Sequence, residues 1–464
     1  MLSSDASRKW WVLGAMGCIL AIMLLGSTVI GVILPAMSKD IGLSELGSHW
    51  VINAYFLVLA VGVAVFGRIE DILGQKSIFF LGLLLFAVSS ALCATAQDTA
   101  MMVGARIGQG LGAAFFLPCG LSIIANVFEP DQHGFAYGIQ TAIGCIAMAF
   151  GVVAGGIVAE AISWRWVFWF NIPLLLAIAL IMLWKGRDKA KGLSVFSSRP
   201  AQREPFDLTG CLLFTLGLCL SVIAMLQVVR WGYILSGSTL LISIVLLAVF
   251  YRQEKRTKAS FIDLSLFKSK GFTSYNLVIV AGQFLQTSTM VFVPIFLQSG
   301  MGLNPLWGGL AMLPAFIHLP LTSIWCGRIS DRWPERKLAL STLAISVITL
   351  TLIGVAAYFK SYWLFIPGLI LWGVAFPFHF VPSRKAVVES VTRDEVGQAS
   401  GICLASQLVG GAVYVSYASA VLSLFESYTL LFVSTGGLLL LIWLLVFAWM
   451  PRKIVIEINQ AGGS

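Results

Sequence analysis

Charged residues are scarce in this chain of 464 residues. Lysine, arginine, aspartate and glutamate together make up 11% of the sequence, whereas hydrophobic residues make up 58%. A soluble domain has about 25% charged and about 45–50% apolar residues. This composition excludes a soluble protein. It predicts an all-α membrane protein, because helices can satisfy every backbone hydrogen bond inside the bilayer.

Cysteine and histidine are also rare, and their placement excludes several kinds of site. The 8 cysteines are scattered within or at the edges of apolar segments, without the spacing of metal ligands. We interpret them as small buried hydrophobic residues. The sequence has no nucleotide-binding loop and no Ser-His-Asp grouping, so we expect no enzyme, no cofactor and no metal. The first apolar run is too long for a cleavable signal peptide, and we expect it to be a span.

Apolar segments of about 20 residues predict fourteen membrane spans, arranged as six, two and six. The predicted ranges are 11–35, 48–66, 77–96, 100–127, 135–160, 167–184, 207–229, 235–251, 272–298, 306–326, 338–358, 361–382, 397–424 and 428–449. We therefore predict an N-terminal six-helix bundle at 1–184 and a C-terminal six-helix bundle at 272–450. Between them, 185–271 holds a linker, two extra spans and an amphipathic loop, in which 261–267 resembles a helix that lies on the membrane surface, and 451–464 is a cytoplasmic tail.

The distribution of basic residues predicts the orientation. With both termini inside, the cytoplasmic segments and their flanks hold most of the 30 Lys and Arg, Arg384 and Lys385 among them. The net charge of +9 then reflects topology and contact with membrane lipid, and indicates no nucleic-acid partner. We expect a multi-pass protein of the plasma membrane, which in a bacterium is the inner membrane.

One phrase occurs in both halves of the chain, each time between apolar runs. The copies are Gly67-Arg68-Ile69-Glu70-Asp71-Ile72-Leu73-Gly74-Gln75-Lys76 and Gly327-Arg328-Ile329-Ser330-Asp331-Arg332. A carboxylate in such a turn can face a helix N-terminus or a basic partner, and glycine lets two backbones approach closely. The charges could simply be ordinary basic-loop residues, but their repetition favours matched hinges in a duplicated transporter. We predict a conformational gate made of Gly67, Arg68, Asp71, Gly74, Lys76, Arg328, Asp331 and Arg332.

Further segments carry a family resemblance. They are Trp50-Val51-Ile52-Asn53-Ala54-Tyr55, Arg106-Ile107-Gly108-Gln109-Gly110, Ser163-Trp164-Arg165-Trp166-Val167-Phe168 with Asn171-Ile172-Pro173, and Ile262-Asp263-Leu264-Ser265-Leu266-Phe267. In these the chain resembles the fourteen-spanner drug:proton antiporter family of the major facilitator superfamily. The resemblance implies two pseudo-symmetric six-helix bundles with two inserted helices, which rock around a central site. It also implies that the repeated phrase latches the cytoplasmic side shut.

The fifth span carries a row of small residues suited to tight helix packing. They are Gly144, Gly151, Gly155 and Gly156. The family's antiporter motif has a proline after the central glycine, where this chain has Val152. Tight packing is therefore expected, without the proline kink, and these glycines could serve packing alone.

The first span departs from the family pattern, which has an aspartate where Gly26 stands and an asparagine where Gly31 stands. We find no Asp or Glu near the centre of any span, and Arg106 is the one strong charge that we place inside one. His318 and His379 could carry a proton in place of a carboxylate. The uncharged candidates for substrate contact or coupling are Asn53, Gln109, Gln140, Gln283, Gln286 and Gln407. Each has a plainer interpretation: Arg106 could fix helix packing, and the histidines and glutamines could be satisfied interior residues.

The function predicted is export of a small organic molecule, a drug-like compound or a metabolite, by alternating access. In the first hypothesis protons are the coupling ion and are handled by Arg106 with a histidine or Asp71. In the second, the chain is a facilitator or exchanger for an anionic or polar metabolite such as a siderophore, because a guanidinium without a carboxylate favours an anionic ligand. A receptor or scaffold finds no support in the sequence. We expect a monomer.

Overall fold

The fold is helical almost throughout the part of the chain that the structure describes. The computed structural model describes residues 2–185, 187–188, 193–194, 196, 207–257, 262, 264–303, 305–392 and 395–451. The helices of the first half and of the insertion are α1 Leu2–Ile41, α2 Glu45–Leu73, α3 Gln75–Ala94, α4 Thr99–Val127, α5 His133–Ala161, α6 Trp166–Trp169, α7 Asn171–Lys185, α8 Leu208–Leu226 and α9 Val228–Glu254. Those of the second half are α10 Lys270–Thr287, α11 Val293–Ser299, α12 Pro305–Leu310, α13 Leu313–Phe316, α14 Leu319–Ser330, α15 Glu335–Phe359, α16 Tyr362–Glu389, α17 Val396–Phe425 and α18 Tyr428–Trp449.

The predicted spans correspond to these helices. In the described residues, 13 helical segments are long and apolar enough to cross a membrane, and Leu208–Ala224 is a shorter apolar helix. That shorter helix is the predicted seventh span. A two-residue antiparallel pair, β1 Arg187–Asp188 with β2 Leu193–Ser194, lies in the predicted linker. The predicted tail beyond residue 451 lies outside the described residues.

Prolines interrupt two spans of the second half. The span Trp307–Ser330 consists of α12, α13 and α14, and proline occupies the first turn of both α13 and α14. The preceding span passes from α10 through a π-helical stretch, Ser288–Phe292, into α11, which also has proline in its first turn. Proline lacks the N–H that would continue the hydrogen-bond ladder, so each interruption has a local cause.

The same helix pairs recur in both halves. Helix α1 packs on α5 as α10 packs on α17, α2 packs on α4 as α14 packs on α16, and α3 packs on α4 as α15 packs on α16. Between the halves, α2 contacts α17 and α5 contacts α14, which is again a symmetric pair. The inserted helices α8 and α9 pack on each other, and α8 also packs on α2 and α17. This is the predicted fold, two pseudo-symmetric bundles with two added helices.

Two expectations need correction. The predicted amphipathic helix before the ninth span is a five-residue 3-10 helix, Leu264–Lys268, within the described residues. Arg106 is also not the only strong charge inside a span. Arg384 and Lys385, predicted at a cytoplasmic flank, lie inside α16 and are 4% and 5% exposed. Helix α16 contains three prolines and nevertheless continues to Glu389, and the sequence did not indicate this continuation.

An ion pair between Asp40 and Arg165 joins the end of α1 to the residues just before α6. Asp40, at the end of α1, accepts hydrogen bonds from the side chains of Arg165 and Trp164. These two donors, Arg165 first, lower the pKa of Asp40 below its ordinary value of 3.8. Because the folded-state pKa is lowered, the stabilisation is present above about pH 4 and is lost as the pH falls through the lowered value.

We therefore expect Asp40→Asn to lower the melting temperature of the purified protein slightly at pH 7, since the pair is exposed. Melting curves of wild type and variant at pH 7 and at a series of values below pH 4 check this. The difference should shrink as the pH falls through the lowered pKa of Asp40; a difference that stays the same over the whole series would contradict the ion-pair origin.

Candidate functional site

The two copies of the repeated phrase lie at one end of the molecule, which we call the motif end. The opposite end, where Asp40 lies, is the Asp40 end. At the motif end the two bundles meet along two seams, α2 against α17 and α5 against α14. Both seams depend on glycine.

The first seam brings Gly67 against α17. A Cβ atom at Gly67 would lie 2.6 Å from the carbonyl oxygen of Gly397 and 2.8 Å from the Cα atom of Gly401. The helices can approach this closely because glycine has no side chain. Gly74 has a φ of 91° and joins α2 to α3, a conformation that favours glycine. The Asp71 side chain lies outside the described residues, Arg68 is half-buried, and Lys76 is exposed.

The second seam places Asp331 at the N-terminus of α5. Its two carboxylate oxygens accept hydrogen bonds from the backbone N–H groups of Gly134 and Phe135, at 2.7 and 2.8 Å. Lys385 Nζ lies 3.3 Å from Asp331 Oδ1 and also donates to the Ser330 carbonyl at 3.0 Å. A carboxylate at a helix N-terminus is stabilising, by about 2 kcal/mol in partly buried cases. The repeat's carboxylate was expected to meet a helix N-terminus or a basic partner. Asp331 meets both, the N-terminus of α5 and Lys385.

The remaining gate residues of the second copy lie beside this contact. Arg328 is 5.4 Å from the centre of the Phe135 ring, a cation–π arrangement across the same seam. A Cβ atom at Gly327 would lie 2.5 Å from the Gly134 carbonyl oxygen. Arg332 is exposed. Two of the three predicted gate residues in this copy, Arg328 and Asp331, thus contact the other bundle, and Gly327, which was not among them, does so as well.

A histidine adds a third contact between the bundles at this end. His133 Nδ1 lies 3.0 Å from Glu389 Oε1 at the end of α16. Its Nε2 lies 3.1 Å from the Phe128 carbonyl oxygen and 3.3 Å from that of Ala125. Both ring nitrogens therefore lie beside oxygen atoms that can accept hydrogen bonds. Neither His133 nor Glu389 was among the predicted site residues, because the sequence does not show that these two helix ends meet.

Arg106 is the centre of a network inside the first bundle. Its Nε donates to the Val51 carbonyl at 2.9 Å, and its Nη1 donates to Gln109 Oε1 at 2.9 Å. Gln109 Nε2 in turn donates to Ser90 Oγ at 2.8 Å. The Tyr55 ring centre lies 4.3 Å from the guanidinium carbon, and Nη2 has no hydrogen-bond partner. Helices α2, α3 and α4 are joined in this way, which fits the packing interpretation of Arg106.

The pocket beside Arg106 is also confined to the first bundle. Its lining comes from α1, α2, α3, α4, α6 and α7, and includes Gly26 and Asn171. Gly26 is the position where the family has an aspartate, so the missing carboxylate leaves space in front of the guanidinium. Gln140 donates to the Met16 carbonyl at 3.3 Å between α5 and α1, and Asn53 is half-buried on α2.

We expect Arg106→Ala to lower the melting temperature by several degrees and to reduce transport of every substrate alike. The reason is that the Val51 carbonyl and Gln109 lose a charged donor inside the bundle, at a cost of about 1–3 kcal/mol each. Thermal unfolding and transport are measured beside Lys360→Ala, an exposed control. A loss limited to anionic substrates at unchanged stability would refute the packing role.

The two glutamines of α10 belong to a polar stretch in the second bundle. Gln283 Nε2 donates to Thr287 Oγ1 at 3.2 Å, and the side-chain oxygens of Gln283 and Gln286 have no hydrogen-bond partner. The hydroxyls of Ser288 and Thr289, in the π-helical stretch, are also buried without one. Unsatisfied buried oxygens are costly and favour a ligand or water that donates hydrogen bonds. Of the predicted polar residues, these two glutamines have the geometry most open to a ligand.

The two span histidines occupy satisfied positions. His379 is fully buried between Ser346 Oγ, 2.7 Å from Nε2, and the Val278 carbonyl oxygen, 3.2 Å from Nδ1. His318 Nε2 lies 3.0 Å from the Ile370 carbonyl oxygen and packs against Gly373. Both therefore join helices of the second bundle and do not meet Arg106.

Of the fifth-span glycines, Gly144 packs closely on α1. A Cβ atom there would lie 2.9 Å from Leu24 and 3.0 Å from Leu20. Gly151 is buried, while Gly155 and Gly156 lie outside the residues whose surroundings are described.

Glu70 is a buried carboxylate that sequence reasoning did not single out. It is 3% exposed, and its Oε1 accepts hydrogen bonds from Gln75 Nε2 and Ser122 Oγ, both at 2.7 Å. Its Oε2 has no partner. The second copy of the repeat has Ser330 at this position, and that difference between the copies was the available signal.

The comparisons with known proteins agree with this architecture. The family model for the Major Facilitator Superfamily matches residues 16–412 and, in a second match, 310–461. The chain belongs to the major facilitator superfamily. It is 30% identical over 399 residues to the riboflavin transporter RibZ of Clostridioides difficile, covering 84% of this chain and 83% of that protein. It is 28% identical over 422 residues to the puromycin resistance protein pur8 of Streptomyces alboniger, covering 89% and 82%.

Two solved structures have the same fold. The human organic anion transporter MFSD10 superposes with a TM-score of 0.66 at 16% identity, over 95% of this chain and 99% of that one. The proton:xylose symporter XylE superposes with a TM-score of 0.69 at 14% identity, over 98% of both chains. The sequence relatives include proteins named for puromycin resistance and for multidrug resistance, so the resemblance to the drug:proton antiporter family is confirmed. The chain is a secondary transporter of the membrane and not an enzyme.

Proposed function

We propose that this protein exports a small organic molecule from the cytoplasm by alternating access, coupled to proton entry. The observation that carries the proposal is the pair of glycine seams at the motif end, where α2 meets α17 and α5 meets α14. Contacts of this kind hold the bundles together at one end while they leave the other end free to part. Relatives named for puromycin resistance and for actinorhodin transport support the outward direction.

We further propose that the motif end faces the cytoplasm, as the distribution of basic residues predicts. The predicted division at residues 184 and 272 and the monomeric state belong to the same proposal. The closure at the motif end is then formed by Asp331, Lys385 and the N-terminus of α5. It must break before a cytoplasmic molecule can enter the space between the bundles. The polar stretch of α10 offers acceptors to the hydrogen-bond donors of that molecule.

Glu70 is the proposed proton-binding group. A buried carboxylate with only neutral hydrogen-bond partners is costly when charged, and binding a proton removes that cost. Among the described carboxylates it is the most buried, followed by Glu254 at the end of α9. Asp71 and the histidines of the spans remain predictions as proton carriers.

A metabolite comparison and a gradient assay test the proposal together. Cells with and without the protein are extracted and compared without preselecting compounds, and the compounds that differ are tested in inside-out vesicles. We expect vesicles to accumulate these compounds when the vesicle lumen is made more acidic than the medium. Accumulation should stop when an ionophore collapses this proton gradient. Flux that does not depend on the gradient would refute proton coupling, and an absence of flux would refute transport.

A second candidate function is facilitated movement or exchange of an anionic metabolite without proton coupling. The observation that favours it is that Arg106 and Arg384 are both buried without an ion pair in the described part of the chain. Gradient-independent exchange in the same vesicles would favour this candidate.

A further inference from the structure

Arg384 is a buried cation at the seam between the two bundles. It lies on α16, five residues before the end of the helix, and is 4% exposed. The Phe380 ring centre lies 5.5 Å from the guanidinium carbon, and Tyr137 on α5 and Cys403 on α17 are close enough to interact electrostatically with the charge. Since α16 packs on both α5 and α17, the side chain belongs to the region where one helix of the first bundle meets two helices of the second.

The guanidinium has few partners there. Its Nη2 donates to Gln407 Oε1 at 3.1 Å, and its Nε has no hydrogen-bond partner. The described carboxylates at the end of α16 and from the end of α14 to the start of α15 have other partners: Glu389 lies 3.0 Å from His133, and Asp331 and Glu335 lie within 4.0 Å of Lys385. Within the described residues Arg384 has no ion pair.

An unpaired guanidinium inside a protein is costly. Arg384 differs from Arg106 in the place where an anion could relieve this cost. The pocket beside Arg106 is lined by the first bundle alone, whereas Arg384 is buried on α16, which packs on α5 across the seam. Separation of the bundles at the motif end would uncover Arg384 and leave Arg106 enclosed. A planar guanidinium then presents its N–H groups to a carboxylate or phosphate in the fork geometry that these groups match.

We propose that Arg384 is the anion-binding residue of the transport pathway, and that the exported molecule carries a carboxylate or phosphate group that pairs with it when the motif end is open. This rests on the proposed export function and adds the substrate class to it. Gln407, which holds Nη2 in the closed arrangement, is a positioning residue for the guanidinium.

The experiment compares metabolites retained by cells that carry no protein, the wild type, Arg384→Gln, Arg384→Lys or the control Arg252→Gln, at an exposed arginine of the inserted helix α9. Aqueous and lipid extracts are analysed separately, so that a soluble organic anion and an anionic lipid are told apart. We expect the compounds exported by the wild type to carry an anionic group. We expect Arg384→Gln to reduce their export about tenfold or more and Arg384→Lys to keep part of it, since lysine keeps the charge and loses the fork.

The amount and the melting temperature of each purified variant are measured to show whether it folds as the wild type does. Because Arg384→Lys keeps the buried charge, a raised KM at unchanged kcat in vesicles distinguishes anion binding from a structural role. Exported compounds that are neutral or cationic, or export by Arg384→Gln equal to that of the wild type, would overturn the inference while export itself stands. If the wild type changes no metabolite in either extract, the export function fails, and the inference fails with it.

Discussion

Replacing Gly327 by alanine is expected to reduce transport at least about tenfold. The added Cβ would lie 2.5 Å from the Gly134 carbonyl oxygen and 2.9 Å from the Phe135 Cα atom, and these backbone atoms belong to the other bundle. Helix α5 must then move away from α14, and Asp331 loses its contact with the α5 N-terminus. The expected effect opposes helix propensity, because alanine is favoured over glycine in a helix by about 1 kcal/mol.

Gly104→Ala is the matched control, since a Cβ atom at Gly104 meets nothing within 4 Å. Substrate flux in vesicles is the first measurement. The second is labelling of Cys403, which is 1% exposed on α17 and lies two residues from Gly401 of the first seam, in a variant without the other cysteines. We expect maleimide to react faster with Cys403 in Gly327→Ala than in either parent or control. Full transport by Gly327→Ala would show that closure at this seam is dispensable.

Glu70→Gln is expected to abolish gradient-driven accumulation of substrate, again by about tenfold or more. Glutamine keeps an oxygen to accept from Gln75 and Ser122, both 2.7 Å from Glu70 Oε1, but it cannot bind and release a proton. Exchange of substrate in the absence of a gradient should continue, because the closure at the motif end does not involve this side chain. Glu70→Ser, which copies Ser330 of the second repeat, should behave in the same way.

Glu254→Gln is the control for this substitution. Glu254 is 4% exposed, as buried as Glu70, and accepts from the Ile262 N–H at 2.7 Å, but it lies on the inserted helix α9 outside both bundles. Accumulation and exchange are measured in the same vesicles with labelled substrate. If Glu70→Gln accumulates substrate as the wild type does, another group carries the proton.

Several features were accessible from the chain alone. Long apolar runs predict helices because a bilayer leaves backbone groups no other partners, and the repeated phrase placed Gly327 and Asp331 at a functional turn. The repeat also predicted that its carboxylate would meet a helix N-terminus or a basic partner, without indicating which helix. The glutamines at 283 and 286 share a face because they lie three residues apart.

Other features depended on which helices meet. Arg384 and Lys385 follow an apolar run in the sequence and resemble ordinary flanking charges, yet α16 continues to Glu389 and buries both. Arg106 looked like a pathway residue, yet its hydrogen bonds to Val51 and Gln109 and its pocket stay within one bundle. Hydropathy measures local composition only, and it contains no information on which neighbouring helix covers a side chain.

The sequence by itself therefore determined the membrane environment, the helical class, the duplication and the family, since each depends on local composition or on short patterns that can be identified along the chain. The tertiary structure decided which charges are buried, which carboxylate is isolated among neutral groups, and which guanidinium lies between the bundles. These depend on contacts between residues far apart in the chain, such as Arg384 with Gln407 and Asp331 with Gly134. The free energy of a buried charge is set by those contacts, which only the packed helices define.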